Sequence, residues 1–162
     1  MVCGDFNLDG KLDLATANQN SNSVSVLLGH GDGSFATEVE YGKGHTPAAM
    51  TACDLNGDGV LDLVTADAND NAIAVLLGKS NGVFGSDIEY AIGANPSSVA
   101  IGELNGDGRP DLVATNLSDN DLSVLLQASK LEFGPSITHA TSFSPRSVAL
   151  GDFNRDGYLD LA

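Results

Sequence analysis

Apolar and polar side chains trade places over short runs along this chain, and no stretch carries a helical period of useful length. Residues 97–104, SSVAIGEL, alternate small and apolar side chains. PDLVATN at 110–116 follows after a polar loop, and NLSDND at 116–121 reads as a turn. LSVLLQ at 122–127 and EFGPSITHAT at 132–141 then predict a third strand and a fourth, edge-like one. Val, Ile, Leu and Thr fill the runs and Gly, Asn, Asp and Ser separate them, which is strand chemistry punctuated by turn chemistry.

This four-strand pattern recurs. DFNLDGKLD begins at residue 5, DLNGDGVLD at 54, ELNGDGRPD at 103 and DFNRDGYLD at 152, a spacing of 49 each time. Phe35, Phe84 and Phe133 keep the same spacing, as do Pro47, Pro96 and Pro145. Four antiparallel strands in a repeat of roughly 40–50 residues predict an all-β chain built of β-propeller blades. Units begin near residues 1, 50, 99 and 148, the last incomplete, so residues 1–162 form one repeat domain of about 3.3 blades. Propellers close a ring of about four to eight blades. The expectation is a fragment of a longer chain, or a ring completed by copies of this one, since unclosed blades leave sheet faces and edges exposed.

Each nine-residue loop crowds three carboxylates and an amide around a glycine, a costly arrangement unless a cation neutralises it. Positions 1, 3, 5 and 9 are Asp5, Asn7, Asp9 and Asp13 in the first loop and Asp54, Asn56, Asp58 and Asp62 in the second. Glu103, Asn105, Asp107 and Asp111 follow in the third, and Asp152, Asn154, Asp156 and Asp160 in the fourth. Hard oxygen donors at this density suit calcium, which accepts six to eight oxygens in irregular geometry. Glycine at position 6 permits the backbone reversal. Position 7 varies freely as Lys11, Val60, Arg109 and Tyr158, as expected where the backbone carbonyl alone contributes. Position 12, where an EF-hand needs a bidentate acid, holds Thr16, Thr65 and Ala114. Glu103 makes the third loop the least regular. Without an ion the loops reduce to Asx-rich turns.

Composition agrees with that reading. The 22 acidic against 7 basic residues give a formal net charge of -15, which argues against nucleic acid or an anionic membrane as partner. A hydrophobic content of 42% is too high for a solvated acidic tail. No apolar run reaches the length of a membrane helix, and MVCGDFNLDG shows no signal peptide. Cys3 and Cys53 occupy non-equivalent repeat positions and read as two small buried thiols rather than a disulfide framework.

With the DxNxDGxxD loops, the Phe-Gly pairs at 84–85 and 133–134 and the recurring proline on the page, the chain resembles the FG-GAP or VCBS-type repeats of integrin α-subunit propellers and bacterial surface proteins. The resemblance implies a seven-bladed ring, with a calcium in each loop joining the first and second strands of a blade. Ala36 departs from the family's glycine after the phenylalanine.

The expected function is a calcium-stabilised, non-enzymatic binding or adhesion module, extracellular or at a cell surface. Calcium repeated equally in every unit reads as structural. The opposite turns, at 17–23, 66–72 and 115–121, could hold a protein loop or a carbohydrate; Asn22, Asn71 and Asn120 also recur there as residues suited to positive φ. Two alternatives are structural spacer repeats of a larger surface protein and part of a propeller-based lyase or hydrolase. His30, His45 and His139 share no repeat position and are expected on surface turns or strand edges. No nucleophile motif accompanies them.

Overall fold

A computed structural model describes residues 1–43 and 45–162. The first blade is an antiparallel meander of β1 (Val2–Gly4), β2 (Asp13–Asn18), β3 (Ser23–Leu27) and β4 (Val39–Tyr41). The second repeats it as β5 (Pro47–Cys53), β6 (Asp62–Asp67), β7 (Ala72–Gly78) and β8 (Phe84–Ala91). In the third, β9 (Pro96–Gly102), β10 (Asp111–Asn116), β11 (Asp121–Leu125) and β14 (Ile137–Ala140) form the sheet. There β12 (Gln127–Ser129) and β13 (Glu132–Phe133) pair separately. The fourth unit contributes β15 (Leu150–Gly151) and β16 (Asp160–Leu161).

The fourth strand expected over 132–141 is therefore two pieces. Pro135 lies between them and has no N–H to donate to a ladder. The matching stretch of the second blade, with Ser86 at that position, runs unbroken from Phe84 to Ala91.

First strands meet in succession: β1 packs against β5, β5 against β9 and β9 against β15. Blades consequently stack face to face around their inner strands, and the middle strands are covered on both sides. Every residue of β6 and of β10 is buried, and so are all but one of β7, which explains why its sequence AIAVLLG at 72–78 is a continuous apolar run instead of an alternation.

Two cores fill the gaps between blades. Phe6, Ala15, Val24 and Val26 of the first blade meet Leu63, Leu76 and Phe84 of the second. Leu55, Val64, Ala66, Ile73 and Val75 meet Val99, Leu112, Ala114 and Leu125 of the third. Alternation within a strand decides which core each residue joins: Leu63 faces backwards and Val64 forwards.

The repeated phenylalanine always faces the preceding blade. Phe84 stands edge-on to Phe6 and Tyr41, with ring centroids 5.7 and 5.5 Å apart, and Phe133 to Tyr90 at 4.9 Å. Such edge-to-face pairs add to the area they bury. Loop position 2 faces the following blade, as Phe6 and Leu55 do. The equivalents with no neighbour on that side are uncovered: Phe153 at position 2 is 61% exposed and Leu12 at position 8 is 67% exposed.

The same rule corrects the expectation of two buried thiols. Cys3 is exposed and Cys53 only partly buried, both reduced. Cys3 pairs with Leu14, on the face of the first blade that points away from the second.

Truncating an interblade side chain should therefore cost far more than truncating its uncovered counterpart. Phe6→Ala is expected to lose about 3–5 kcal/mol and Phe153→Ala less than about 0.5 kcal/mol. Urea unfolding of both variants checks this, and equal losses would contradict the blade packing.

Candidate metal-binding loops

Each acidic loop joins the first two strands of its unit, at one end of the blade. Two residues per loop are left-handed. At position 6, Gly10, Gly59, Gly108 and Gly157 have φ between 79 and 92°. At position 4, Gly57 and Gly106 share the conformation with Leu8 (φ 62°) and Arg155 (φ 66°), a demand the sequence pattern does not announce because the residue type varies.

The position-1 carboxylate sits inside the turn. Asp5 accepts hydrogen bonds from the N–H groups of Asp9 and Gly10 at 3.0 and 2.8 Å. Asp54 accepts them from Gly57, Asp58 and Gly59 at 2.8–3.1 Å, and Asp152 from Asp156 and Gly157 at 3.0 Å. Glu103 reaches one residue less far round, taking Asn105, Gly106 and Asp107 at 2.5–3.2 Å with a single oxygen. Its longer side chain changes which amides it meets.

The position-3 amide oxygen accepts the position-5 N–H in three loops, at 2.8–3.0 Å from Asn7, Asn105 and Asn154. The second loop differs: Asn56 Oδ1 is buried and has no partner. An orphaned buried amide oxygen in a loop that also carries three carboxylates is a donor a hard cation would take.

Position-5 carboxylates each accept the N–H of position 7 at 2.9 Å. That bond is the main reason Asp9, Asp58 and Asp107 are held below the ordinary carboxylate range, so they stay ionised. Position 7 is less passive than its variability suggests. The Arg109 guanidinium lies 2.8 Å from Asp107 and donates from Nε to the Gln127 carbonyl, and Lys11 Nζ stands 3.6 Å from Asp9.

Position 9 does a second job. Asp13, Asp62 and Asp111 are completely buried. One oxygen of each accepts the position-2 N–H, from Phe6, Leu55 or Leu104 at 2.8–3.0 Å. The other accepts an N–H at or just past the far end of the third strand, from Gly29, Gly78 or Gln127 at 2.7–2.8 Å. Asp160 keeps the first of these bonds, from Phe153 at 3.0 Å. At Gly78 a Cβ would run into the Leu61 carbonyl, so glycine lets that amide come close. Burial lifts the Asp62 carboxyl above its ordinary range, against the pull of the Gly78 and Leu55 amides.

A carboxylate has about four lone-pair directions, and the amides use no more than part of them. Carboxylates at positions 1, 5 and 9 and the amide oxygen of position 3 are donors of the kind calcium takes, on a turn already folded by its own hydrogen bonds; among the described residues, though, the three carboxylates of a loop do not converge within 4.8 Å of one another, as the groups around His45 do.

At the opposite end, left-handed Asn22, Asn71 and Asn120, with φ of 54–58°, each close a four-residue hairpin loop just before the third strand. His30 and His139 are exposed. His45 is not the surface residue its position suggests: its imidazole is four-fifths covered and meets four carboxylates. Partial burial opposes its charge, but Asp70, Asp67, Asp87 and Glu89 outweigh that and raise its pKa. Burial pushes Asp67 up to about 6. The Thr65 hydroxyl stabilises its ionised form, yet falls outside hydrogen-bond geometry and leaves both Asp67 oxygens unpartnered.

Four-stranded antiparallel blades packed face to face around their first strands, each with an acidic loop at one end, define a β-propeller repeat protein. The family model described as FG-GAP-like repeat matches residues 5–65, 54–114 and 104–162, and the chain belongs to that family. Among solved structures it is similar to a lectin of Agrocybe aegerita described as recognising non-reducing terminal N-acetylglucosamine. The TM-score is 0.66 at 21% identity, over 98% of this chain and 44% of that one. It is also similar to the Tc holotoxin pore of Photorhabdus luminescens, with a TM-score of 0.54 at 21% identity, over 93% of this chain and 8% of that one. The chain thus spans less than half the length of either structure. No curated protein matches its sequence.

Two substitutions separate the loop's backbone demands from its charges. Gly59→Ala should cost about 1–2 kcal/mol from the left-handed conformation alone, because nothing lies where the methyl would go. Asp62→Asn turns an amide donor towards a backbone donor and should cost about 1–3 kcal/mol. Denaturant unfolding in a chelator would show both losses; an unchanged midpoint for Asp62→Asn would remove the carboxylate from the fold's framework.

Proposed function

We propose that this chain is a calcium-stabilised, non-enzymatic binding module of an extracellular or cell-surface protein, its four loops each holding one calcium ion. The observation that carries the reading is the buried Asn56 Oδ1, unpartnered among the described residues, in an acidic loop repeated with the same turn geometry in every unit. The bound ion takes oxygens from positions 1, 3, 5 and 9 and the backbone carbonyl of position 7. Neutralising three carboxylates, it removes the repulsion that opposes the turn. The third loop binds more weakly, because Glu103 arranges its oxygens differently and Arg109 already neutralises Asp107.

Extracellular calcium modules bind at about 0.1–1 mM, so millimolar calcium supplies the ion without a dedicated loading step. The ligand of the module is a protein or a carbohydrate, held on the face opposite the loops. The likeness to a lectin supports a sugar as the first class to screen. The fold's regularity supports a binding role over catalysis, since the loops are equivalent and His30 and His139 stand apart on the surface.

Each site filled several-fold above its dissociation constant adds about 1 kcal/mol, which for four sites raises the melting temperature by roughly 10 °C in a domain of this size. Thermal unfolding in EDTA, in millimolar magnesium and in millimolar calcium is the direct measurement. A calcium-specific rise is expected; superimposable curves would refute the metal reading and leave the loops as Asx turns.

A further inference from the structure

The cluster around His45 belongs to the second unit alone. Its residues are His45 in the β4–β5 connection, Asp67 at the end of β6, Asp70 in the following turn, and Asp87 and Glu89 on one face of β8. The repeat-equivalent residues are Ala94 and Phe143 for His45, Asn18 and Asn116 for Asp67, and Glu38 and Ser136 for Asp87, so a carboxylate recurs at one of these positions but the histidine and the buried aspartate do not. In the other blades the equivalent amide nitrogen has a serine hydroxyl to donate to, Asn18 to Ser25 at 2.7 Å and Asn116 to Ser123 at 2.9 Å, although Asn116 Oδ1 is itself buried without a partner among the described residues. The second blade has Ala74 where those serines stand, so an aspartate replaces the asparagine while its hydroxyl partner disappears.

What remains is a fully buried carboxylate with neither oxygen hydrogen-bonded among the described residues, 3.9 Å from His45 Nδ1. Asp70 lies 3.2 Å and Glu89 3.1 Å from the same nitrogen. Nε2 faces Asp87 at 3.0 Å. The backbone beside the histidine is fixed, because Ala68 N–H donates to the Thr46 carbonyl and Asn69 N–H to the Thr46 hydroxyl, each at 2.9 Å.

We propose that His45 Nδ1, Asp67 and Asp70 form a binding site for a first-row transition-metal dication such as Zn2+, with Asp87 holding the other ring nitrogen. Donors about 2.1 Å from one ion stand roughly 3.0–3.4 Å apart, so Asp70 is already placed and Asp67 needs a shift of about 0.5 Å. An imidazole donor favours zinc, copper, iron or nickel over calcium and magnesium. A carboxylate on the far nitrogen is the usual support of a metal-bound histidine. A proton on Nδ1 is the competing explanation, but it can be donated to one acceptor and leaves Asp67 unsatisfied. The ion satisfies Asp67, Asp70 and the imidazole together, and Glu89 adds negative charge beside it. The three ligands leave coordination positions open to water. The site owes nothing to the acidic loops and stands whether or not they bind calcium.

The test is equilibrium dialysis of the chelator-stripped chain against Zn2+ in saturating calcium, with protein-bound metal quantified and the His45 ring nitrogens followed by NMR. One equivalent of zinc should remain, with Nδ1 perturbed. His45→Gln and the more exposed Asp70→Asn should each weaken it by at least ~100-fold, more than loss of an outer-shell partner. Asp54→Asn, in an acidic loop, should leave it unchanged. Thermal unfolding in EDTA verifies that each variant is folded. Zinc bound equally by His45→Gln, or lost with Asp54→Asn, would overturn the site, as would no retained zinc in the parent chain.

Discussion

A buried carboxylate with both oxygens occupied by backbone amides organises each blade. Asp62 ties the Leu55 amide at the start of the acidic loop to the Gly78 amide at the end of the third strand. Three segments distant in sequence are thereby held at one point, and the same is true of Asp13 and Asp111. Without it, the loop's N–H groups and the end of β7 would be buried polar groups in want of partners. Strand register, loop entry and the close approach that Gly78 permits all follow from this contact. The ion-binding potential of the loop rests on the same residue, so charge and fold cannot be varied independently there.

From this framework, the interblade cores explain why an acidic protein is nonetheless compact. The charges gather in the loops and the turns, while β6 and β10 are buried along their whole length. Position 2 of each loop, though embedded in the most polar stretch of the unit, carries the side chain that reaches into the next blade. Loop and core are thus made by neighbouring residues that face in different directions.

Much of this was legible in the residues. The 49-residue spacing marks the blades, the Asn at 22, 71 and 120 marks the left-handed turn positions, and the glycine of each loop marks its reversal. Other features were hidden for physical reasons. Leu8 and Arg155 take a left-handed conformation that neither residue type advertises. Phe35 looks like Phe84 in sequence, but Phe84 is covered by Phe6 and Tyr41 of the first blade while Phe35 is partly exposed. The carboxylates around His45 come from 22 to 44 positions further along the chain, and strand pairing rather than local pattern brings them together. Pro135 divides a strand whose apolar content alone reads as continuous.

The two faces of a blade are chemically unlike. One presents the repeated phenylalanine and loop position 8, the other presents loop position 2 and the tyrosine represented by Tyr41 and Tyr90. Contact between blades therefore has a direction, front to back, and a face cannot mate with its own copy. Interfaces of this heterologous kind have no intrinsic stopping point: they propagate with a fixed rotation until the last face meets the first. The size of a closed ring is then decided by the angle each blade turns through, an angle set by the side chains wedged between one sheet and the next.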